Sequence, residues 1–421
     1  MPAPESSIPT HEILDVQEAR CCVVGGGPAG LILAYLLARQ GVEVRLLEAH
    51  KDFDRDFRGD TVHPGTLEIL DSLGLADRLL ELPHSKVRRG TIQTATGSFP
   101  FADFGTLDTR FPYIALIPQV DFLEFMAAEA ARFPAFHLVM EANVKELVEH
   151  DGRIAGVRYQ SHEGWHEVRA PLTVACEGRF SRVRSLAGFE PVKSSPPMDV
   201  LWFHLPRTAD DPFDPEVGFR VRPGRLLIRL ERPEYWQMGY VIPKDGYKDL
   251  RAPGLEALRS SLVELIPEFA ERIQTLIDWS QITPLSVESS RLKRWYKPGL
   301  LLIGDAAHVM SPVGGVGINY AIQDAVVASN RLAGPLLRDR LGLADLASVQ
   351  RQRYWPTVII QAVQAQIQRR LLGAALDASR PFRLPAFLRL PFLRNLMVRL
   401  IAFGPRRIRV RLADGKGSDA A

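Results

Sequence analysis

Cysteine is scarce in this chain: three in 421 residues, Cys21, Cys22 and Cys176, each inside an apolar run. None stands at the Cys/His spacing of a zinc site, and neighbours on a strand point to opposite faces. A disulfide framework and a metal centre are therefore not expected, and a reducing, cytoplasmic setting is the simpler reading. Net charge is also small, at +3, which removes the electrostatic case for a nucleic-acid partner. No apolar run reaches about 18 residues, so no membrane-spanning helix is expected. Residues 1–18 are polar and lack the basic start and apolar stretch of a signal peptide, so they read as a loose tail. No internal repeat is visible. Hydrophobic residues make up 46% and charged residues 24%, ordinary for a globular protein with room for two or three structural regions.

What is present begins at Cys21-Cys22-Val23-Val24, an apolar run leading into Gly25-x-Gly27-Pro28-Ala29-Gly30. A helical pattern follows, then a second apolar run, Val44-Arg45-Leu46-Leu47, that ends on Glu48. Strand, glycine turn, helix and strand together form a dinucleotide-binding unit. Gly25 permits the tight turn, Gly27 lets backbone approach a pyrophosphate, and Gly30 lets the helix pack close. The helix start offers free N–H groups to phosphate. Glu48 stands where a carboxylate accepts hydrogen bonds from ribose hydroxyls.

A second motif lies far along the chain. An apolar run, Leu300 to Ile303, leads into Gly304-Asp305-Ala306-Ala307-His308, then Pro312-Val313-Gly314-Gly315-Val316-Gly317-Ile318-Asn319 and a long helical pattern. Asp305 is placed to accept a ribitol or ribose hydroxyl. The backbone of Gly314, Gly315 and Gly317 can lie flat against a planar ring, since no Cβ intervenes. The helix start then points N–H groups at negative charge on that ring, worth about 1 kcal/mol. A third motif is Cys176-Glu177-Gly178-Arg179-Phe180-Ser181-Arg182-Val183-Arg184, whose arginines suit either phosphate or structural ion pairs.

Between these motifs the pattern changes. Residues 67–82 and 120–132 read as helices, 91–101 as a strand or hairpin, and 137–174 as a meander. Residues 194–286 carry short runs rich in β-formers, separated by prolines, and then helical patterns at 255–265 and 267–277. Two longer helical patterns follow, at about 319–337 and 344–372. The stretch 378–413 holds nine arginines (380, 383, 389, 394, 399, 406, 407, 409 and 411) and no Asp, Glu or Lys. Leu396, Met397, Leu400 and Ile401 fall on one helical face there. Two readings fit: a terminal helix packed on the nucleotide domain, or a basic amphipathic element resting peripherally on an inner membrane face.

In the order and separation of its motifs, about residues 20–372, the chain resembles the para-hydroxybenzoate hydroxylase family, the group A flavin monooxygenases. The resemblance implies an α/β fold: a Rossmann-like FAD-binding domain, an inserted β-sheet substrate domain and a helical C-terminal region. The expected division is 19–193, with a substrate-domain excursion near 86–104, then 194–286, then 287–372 with the flavin loop, then a basic extension at 373–421. It implies FAD as cofactor, held by Gly25, Gly27, Pro28, Ala29, Gly30, Glu48, Arg58, Gln119, Glu177, Gly178, Asp305, Pro312, Gly314, Gly315, Gly317, Ile318 and Asn319. Arg58 resembles the arginine near the pyrophosphate, and Gln119 the glutamine at the ribityl chain. Pro312 and Gly315 are the backbone positions beside the flavin ring, and no side-chain base is assigned. Glu177 departs from the family's usual Asp and reaches one methylene further.

The reaction implied is oxygenation of a small aromatic or polycyclic molecule, with NADPH or NADH as transient reductant and O2 as co-substrate. Only one glycine fingerprint is present, in keeping with a family that has no second nucleotide domain. Candidate substrate-lining residues are Trp202, Phe203, Arg220, Arg229, Tyr235, Trp236, Met238 and Tyr240, of which strand alternation allows about half. His308, beside Asp305 in a tight loop, reads as structural, with a catalytic base as the alternative. A flavin dehydrogenase or reductase on the same fold, or a non-catalytic flavin-binding protein docked on a membrane, are the competing readings. A monomer or homodimer is expected.

Overall fold

The computed structural model describes residues 11–54, 60–194, 196–208, 211, 216–369, 373–376 and 390–412. Its central sheet has six strands in the order Tyr296–Lys297, Leu300–Leu302, Thr173–Ala175, Cys21–Val24, Val44–Leu47, Phe136–Val139. All neighbours run parallel except the first pair, an antiparallel edge. Cys21–Val24 and Leu300–Leu302 are buried throughout, as expected of strands covered on both faces. The helix Pro28–Arg39 packs on this sheet and against the long helix Gly317–Leu337. Pro28 at the first helical turn suits its fixed φ, and Gly41 at φ +82° releases the chain after Gln40.

The carboxyl ends of four strands meet at one edge. Val24 leads to Gly25, Leu47 to Glu48, Ala175 to Glu177, and Leu302 to Asp305. Open parallel sheets bind ligands at this edge. The motifs are hundreds of residues apart in sequence and converge because their strands are neighbours.

A second sheet of seven strands has the order Thr283–Leu285, Met198–Pro206, Tyr235–Pro243, Arg225–Glu231, Glu216–Arg222, Arg89–Thr94, Gly97–Asp103. The excursion near 86–104 thus joins the 194–286 region through the parallel pairing of Glu216–Arg222 with Arg89–Thr94. One face of this sheet packs on the helix Leu255–Leu265, around Leu201, Phe203, Trp236 and Met238. The other face looks toward the flavin-loop side.

Of the expectations about the two terminal regions, one changes and one holds. Residues 13–18, read as part of a loose tail, form the strand Ile13–Glu18, paired in parallel with Trp165–Arg169. Its alternating exposure is that of an edge strand with one covered face, a pattern too short and polar to stand out in sequence. At the other end, the helix Pro391–Phe403 packs with Val398, Ala402 and Phe403 buried. The His63 ring bonds through Nδ1 to the Ile401 carbonyl at 2.9 Å, and Arg407 pairs with Glu68 at 3.0 Å. The packed-helix reading therefore holds for 390–412. Arg380, Arg383 and Arg389 lie outside the described residues. Among the described residues, no helix is long and apolar enough to cross a membrane.

Candidate active site

One cavity of about 890 Å³ runs from the carboxyl edge of the parallel sheet to the inner face of the seven-stranded sheet. Gly25, Gly27, Pro28, Ala29, Glu48, Gln119, Glu177 and Gly178 line it on one side. Asp305, Pro312, Gly314, Gly315, Gly317 and Ile318 line it on the other. The two glycine bends therefore face a single space.

Local geometry explains the glycines. Gly25 has φ +103°, and a Cβ there would stand 2.7 Å from the Cys176 carbonyl. A Cβ on Gly30 would meet the Gly25 oxygen at 1.9 Å, so Gly30 lies beneath the bend and does not line the cavity. A Cβ on Gly27 would touch no protein atom within 4 Å. Nothing in the fold demands glycine at position 27; only an occupant of the cavity would. Gly27 is also the N-cap of its helix and supplies no side-chain cap, so the first-turn N–H groups point into the space unpaired by a capping side chain. On the opposite wall Gly315 has φ +60°, and a Cβ would overlap Thr61 Oγ1 at 2.5 Å. Flat, Cβ-free backbone on one wall and open helix N–H groups on the other fit a planar ring joined to a pyrophosphate.

Other predicted residues reach the site indirectly. Asn319 does not line the cavity. Its Oδ1 accepts from the His63 N–H at 2.9 Å and the Thr66 hydroxyl at 2.7 Å, while Nδ2 donates to the Thr61 and Gly315 carbonyls at 3.0 and 3.1 Å. All its hydrogen-bonding capacity is used to fix the glycine loop against the 61–66 segment. The Glu48 carboxylate accepts from the Gly26 N–H at 2.7 Å and contacts His50 Nδ1 at 2.6 Å. Glu177 accepts from the Ser181 hydroxyl at 2.5 Å and from the N–H groups of Arg182 and Val183. Burial raises its pKa against those bonds. Glu177 thus braces the start of the short helix Arg182–Leu186, whose N-cap is Ser181. Arg184 is structural: it donates to the carbonyls of Arg179 and Ala306 at 2.6 and 3.2 Å. Arg58 lies outside the described residues.

His308 is buried beneath the Asp305 turn, its Nε2 2.6 Å from Asp324 Oδ2. Asp324 also accepts from the Gly304 N–H at 3.0 Å and Arg353 Nε at 2.6 Å. Burial raises the Asp324 pKa, but His308 and Arg353 more than offset it, leaving it below the usual carboxylate value. The structural reading of His308 fits this geometry: the ring does not line the cavity and belongs to a buried charge cluster that holds the turn.

Strand alternation sorts the substrate candidates. Trp202 faces the cavity, beside Met198 and Val200. Phe203, Trp236, Met238 and Tyr240 face the helix side and form its core, which corrects their expected role. Arg220 and Arg229 are on that far face too, paired with Glu268 and Glu216. Tyr235 stacks on His204, with ring centroids 4.0 Å apart, and does not line the space. The cavity face carries residues that were not singled out: Ile92, Phe101, Phe219, Ile228 and Gln237, with Arg232 beyond the strand end. Met397 and Ile401 of the C-terminal helix close it. Alternation was available from sequence, but its parity was not.

This arrangement defines a flavoprotein oxidoreductase of the two-sheet type. The comparisons agree: residues 18–354 match the family described as FAD binding domain, and the chain belongs to that family of para-hydroxybenzoate hydroxylase-like flavoprotein monooxygenases. The 6-methylpretetramide 4-monooxygenase of Streptomyces rimosus is 33% identical over 395 residues, 93% of each chain. The solved structure of OxyS anhydrotetracycline hydroxylase from Streptomyces rimosus has a TM-score of 0.68 at 26% identity, covering 92% of this chain and 76% of that one. PqsL of P. aeruginosa, at 20% identity, shares the fold with a TM-score of 0.74 over 86% of this chain and 98% of its own. The protein is an FAD-dependent monooxygenase. That selects among the readings the sequence allowed.

Proposed function

We propose that this enzyme hydroxylates a planar, polycyclic aromatic molecule in the cavity between the flavin loop and the seven-stranded sheet. The observation that carries the reading is the continuity of that cavity. The Gly25–Gly30 bend and the Gly314–Gly317 loop open into the same space as an apolar wall of Ile92, Phe101, Trp202, Phe219 and Ile228. Ligand sites of this kind are mostly apolar with few placed polar groups. The named substrates of the tetracycline-pathway relatives support a polycycle.

In this reading the helix start at Gly27 holds the FAD pyrophosphate, Glu48 the ribose, Gln119 and Asp305 the ribityl region, and the Pro312–Ile318 backbone the ring. When bound, FAD supplies the redox and oxygen-transfer chemistry. The chain's own residues position and enclose. Asn319 and Thr61 fix the Gly315 carbonyl, so the loop keeps a flat face. Met397 and Ile401, latched through His63, exclude water from the far side.

The test is stimulation of NAD(P)H oxidation. Anhydrotetracycline and flat polyphenols of three or four rings are expected to stimulate it, with a product gaining one oxygen atom. Aliphatic carboxylic acids are not. Stimulation by the aliphatic acids alone would overturn the reading.

A further inference from the structure

The cavity has one polar corner on its substrate side, and no motif pointed to it. Arg232 follows the strand Arg225–Glu231 and is 3% exposed. Its Nη2 donates to Asp60 Oδ2 at 2.6 Å and to Gln237 Oε1 at 2.6 Å, and its Nε donates to Gln237 Oε1 at 3.0 Å. Asp60 also accepts the backbone N–H of Gln119. Arg232, Asp60 and Gln237 all line the cavity, where the remaining side chains of the sheet face are apolar. Nη1 of Arg232 makes no hydrogen bond to a described residue.

A buried ion pair is a poor device for stability. Apolar side chains of similar volume do as well or better. A pair set in an apolar cavity wall, with an Nη1 group that no described residue engages, instead suits ligand recognition. Arg232 offers a donor. Asp60, which accepts from two donors among the described residues, offers an acceptor. The pair is neutral overall, so it matches a neutral group that both accepts and donates. A phenolic or enolic hydroxyl is such a group; an ether only accepts, and a bare ring edge does neither.

We propose that Arg232 and Asp60, held by Gln237, form the specificity-determining polar end of the substrate cavity and recognise a ring hydroxyl on a planar polycyclic ligand. Nη1 donates to the hydroxyl oxygen, and the Asp60 carboxylate accepts the hydroxyl hydrogen. The proposal rests on the polycyclic-substrate reading above and adds which edge of the ligand turns away from solvent. Sites built to bond a hydroxyl discriminate strongly against analogues that lack it, because the buried polar groups are then left unpaired.

The test is equilibrium binding of 2-naphthol, 2-methoxynaphthalene and naphthalene to the FAD-loaded full chain, followed by the change in flavin absorbance. The wild type is expected to bind 2-naphthol at least about tenfold more tightly than either analogue. Arg232→Gln strands a buried carboxylate, so the double variant Asp60→Asn/Arg232→Gln, which removes both charges together, is measured beside it. The double variant is expected to retain FAD and to bind the three compounds within about threefold of one another. Equal affinities in the wild type, or a hydroxyl preference that survives in the double variant, would overturn the proposal while leaving the polycyclic-substrate reading intact. Failure of all three compounds to bind would overturn both.

Discussion

At the scale of single residues, the glycines divide by what surrounds them. Gly315 is glycine because the fold requires it: φ is +60° and Thr61 occupies the Cβ position. Gly27 is glycine only because something else must come close. The two therefore predict different losses. Gly315→Ala carries a left-handed penalty of about 1–2 kcal/mol plus the overlap with Thr61, so both thermal stability and FAD retention fall. Gly27→Val places its Cβ where no protein atom lies within 4 Å. Its apoprotein melts within about 0.5 kcal/mol of wild type, while FAD affinity drops at least about tenfold. Thermal unfolding of apoprotein and flavin fluorescence titration read the two quantities separately. A Gly27→Val protein that keeps full FAD affinity would place the pyrophosphate elsewhere.

At the scale of elements, the long helices are joined by charge. Arg353, on the helix Leu343–Ile367, reaches Asp324 on the helix Gly317–Leu337, and Asp324 in turn holds His308 and the Gly304 turn. Arg353 and Asp324 are both fully buried. Arg353→Met leaves a buried carboxylate with one fewer partner and is expected to cost about 3–5 kcal/mol in urea unfolding. Arg353→Met with Asp324→Asn should recover part of that loss. A single variant as stable as wild type would show that the cluster does not brace the turn.

Of this cluster only the Gly304 turn and His308 stood out in sequence, because Asp324 and Arg353 read as ordinary positions in helical patterns. What was legible follows short-range rules. The glycine bends carry their reason within about a dozen residues, and the β-rich middle region shows its strands by composition and proline punctuation. Even there, the face of each strand depends on which side the helix Leu255–Leu265 covers. Trp202 and Phe203 are equivalent in sequence and opposite in role. The Asp60–Arg232 pair joins positions 172 residues apart and leaves no local trace.

At the scale of the whole molecule, the buried His63 and the half-buried His204 tie stability to pH. Burial lowers the His63 pKa from 6.5 to about 4, against the opposing bond to the Ile401 carbonyl. Burial, with Arg232 nearby, lowers His204 to about 4 as well. In the unfolded chain both take up protons near pH 6.5. Between about pH 6.5 and 4 the unfolded state therefore binds more protons, and stability falls as pH falls through that window. His63 alone contributes about 3 kcal/mol at full effect. Asp324 acts lower: its stabilisation is present above the ordinary 3.8 and is lost only on further acidification. Urea midpoints at pH 7 and pH 5 should differ clearly in the wild type and by less in His63→Gln. Equal wild-type midpoints would contradict the neutral state of these rings.

In the proposed reading, the two-sheet construction lets one chain bind a flavin at the edge of its parallel sheet and enclose a flat substrate against the seven-stranded sheet. The most direct measurement is turnover under 18O2 with NAD(P)H and a polycyclic phenol that stimulates oxidation, followed by mass spectrometry of the product. One 18O atom per product molecule, with the other recovered in water, is the predicted result. A product that carries no label, or one that has only lost hydrogen, would contradict the account.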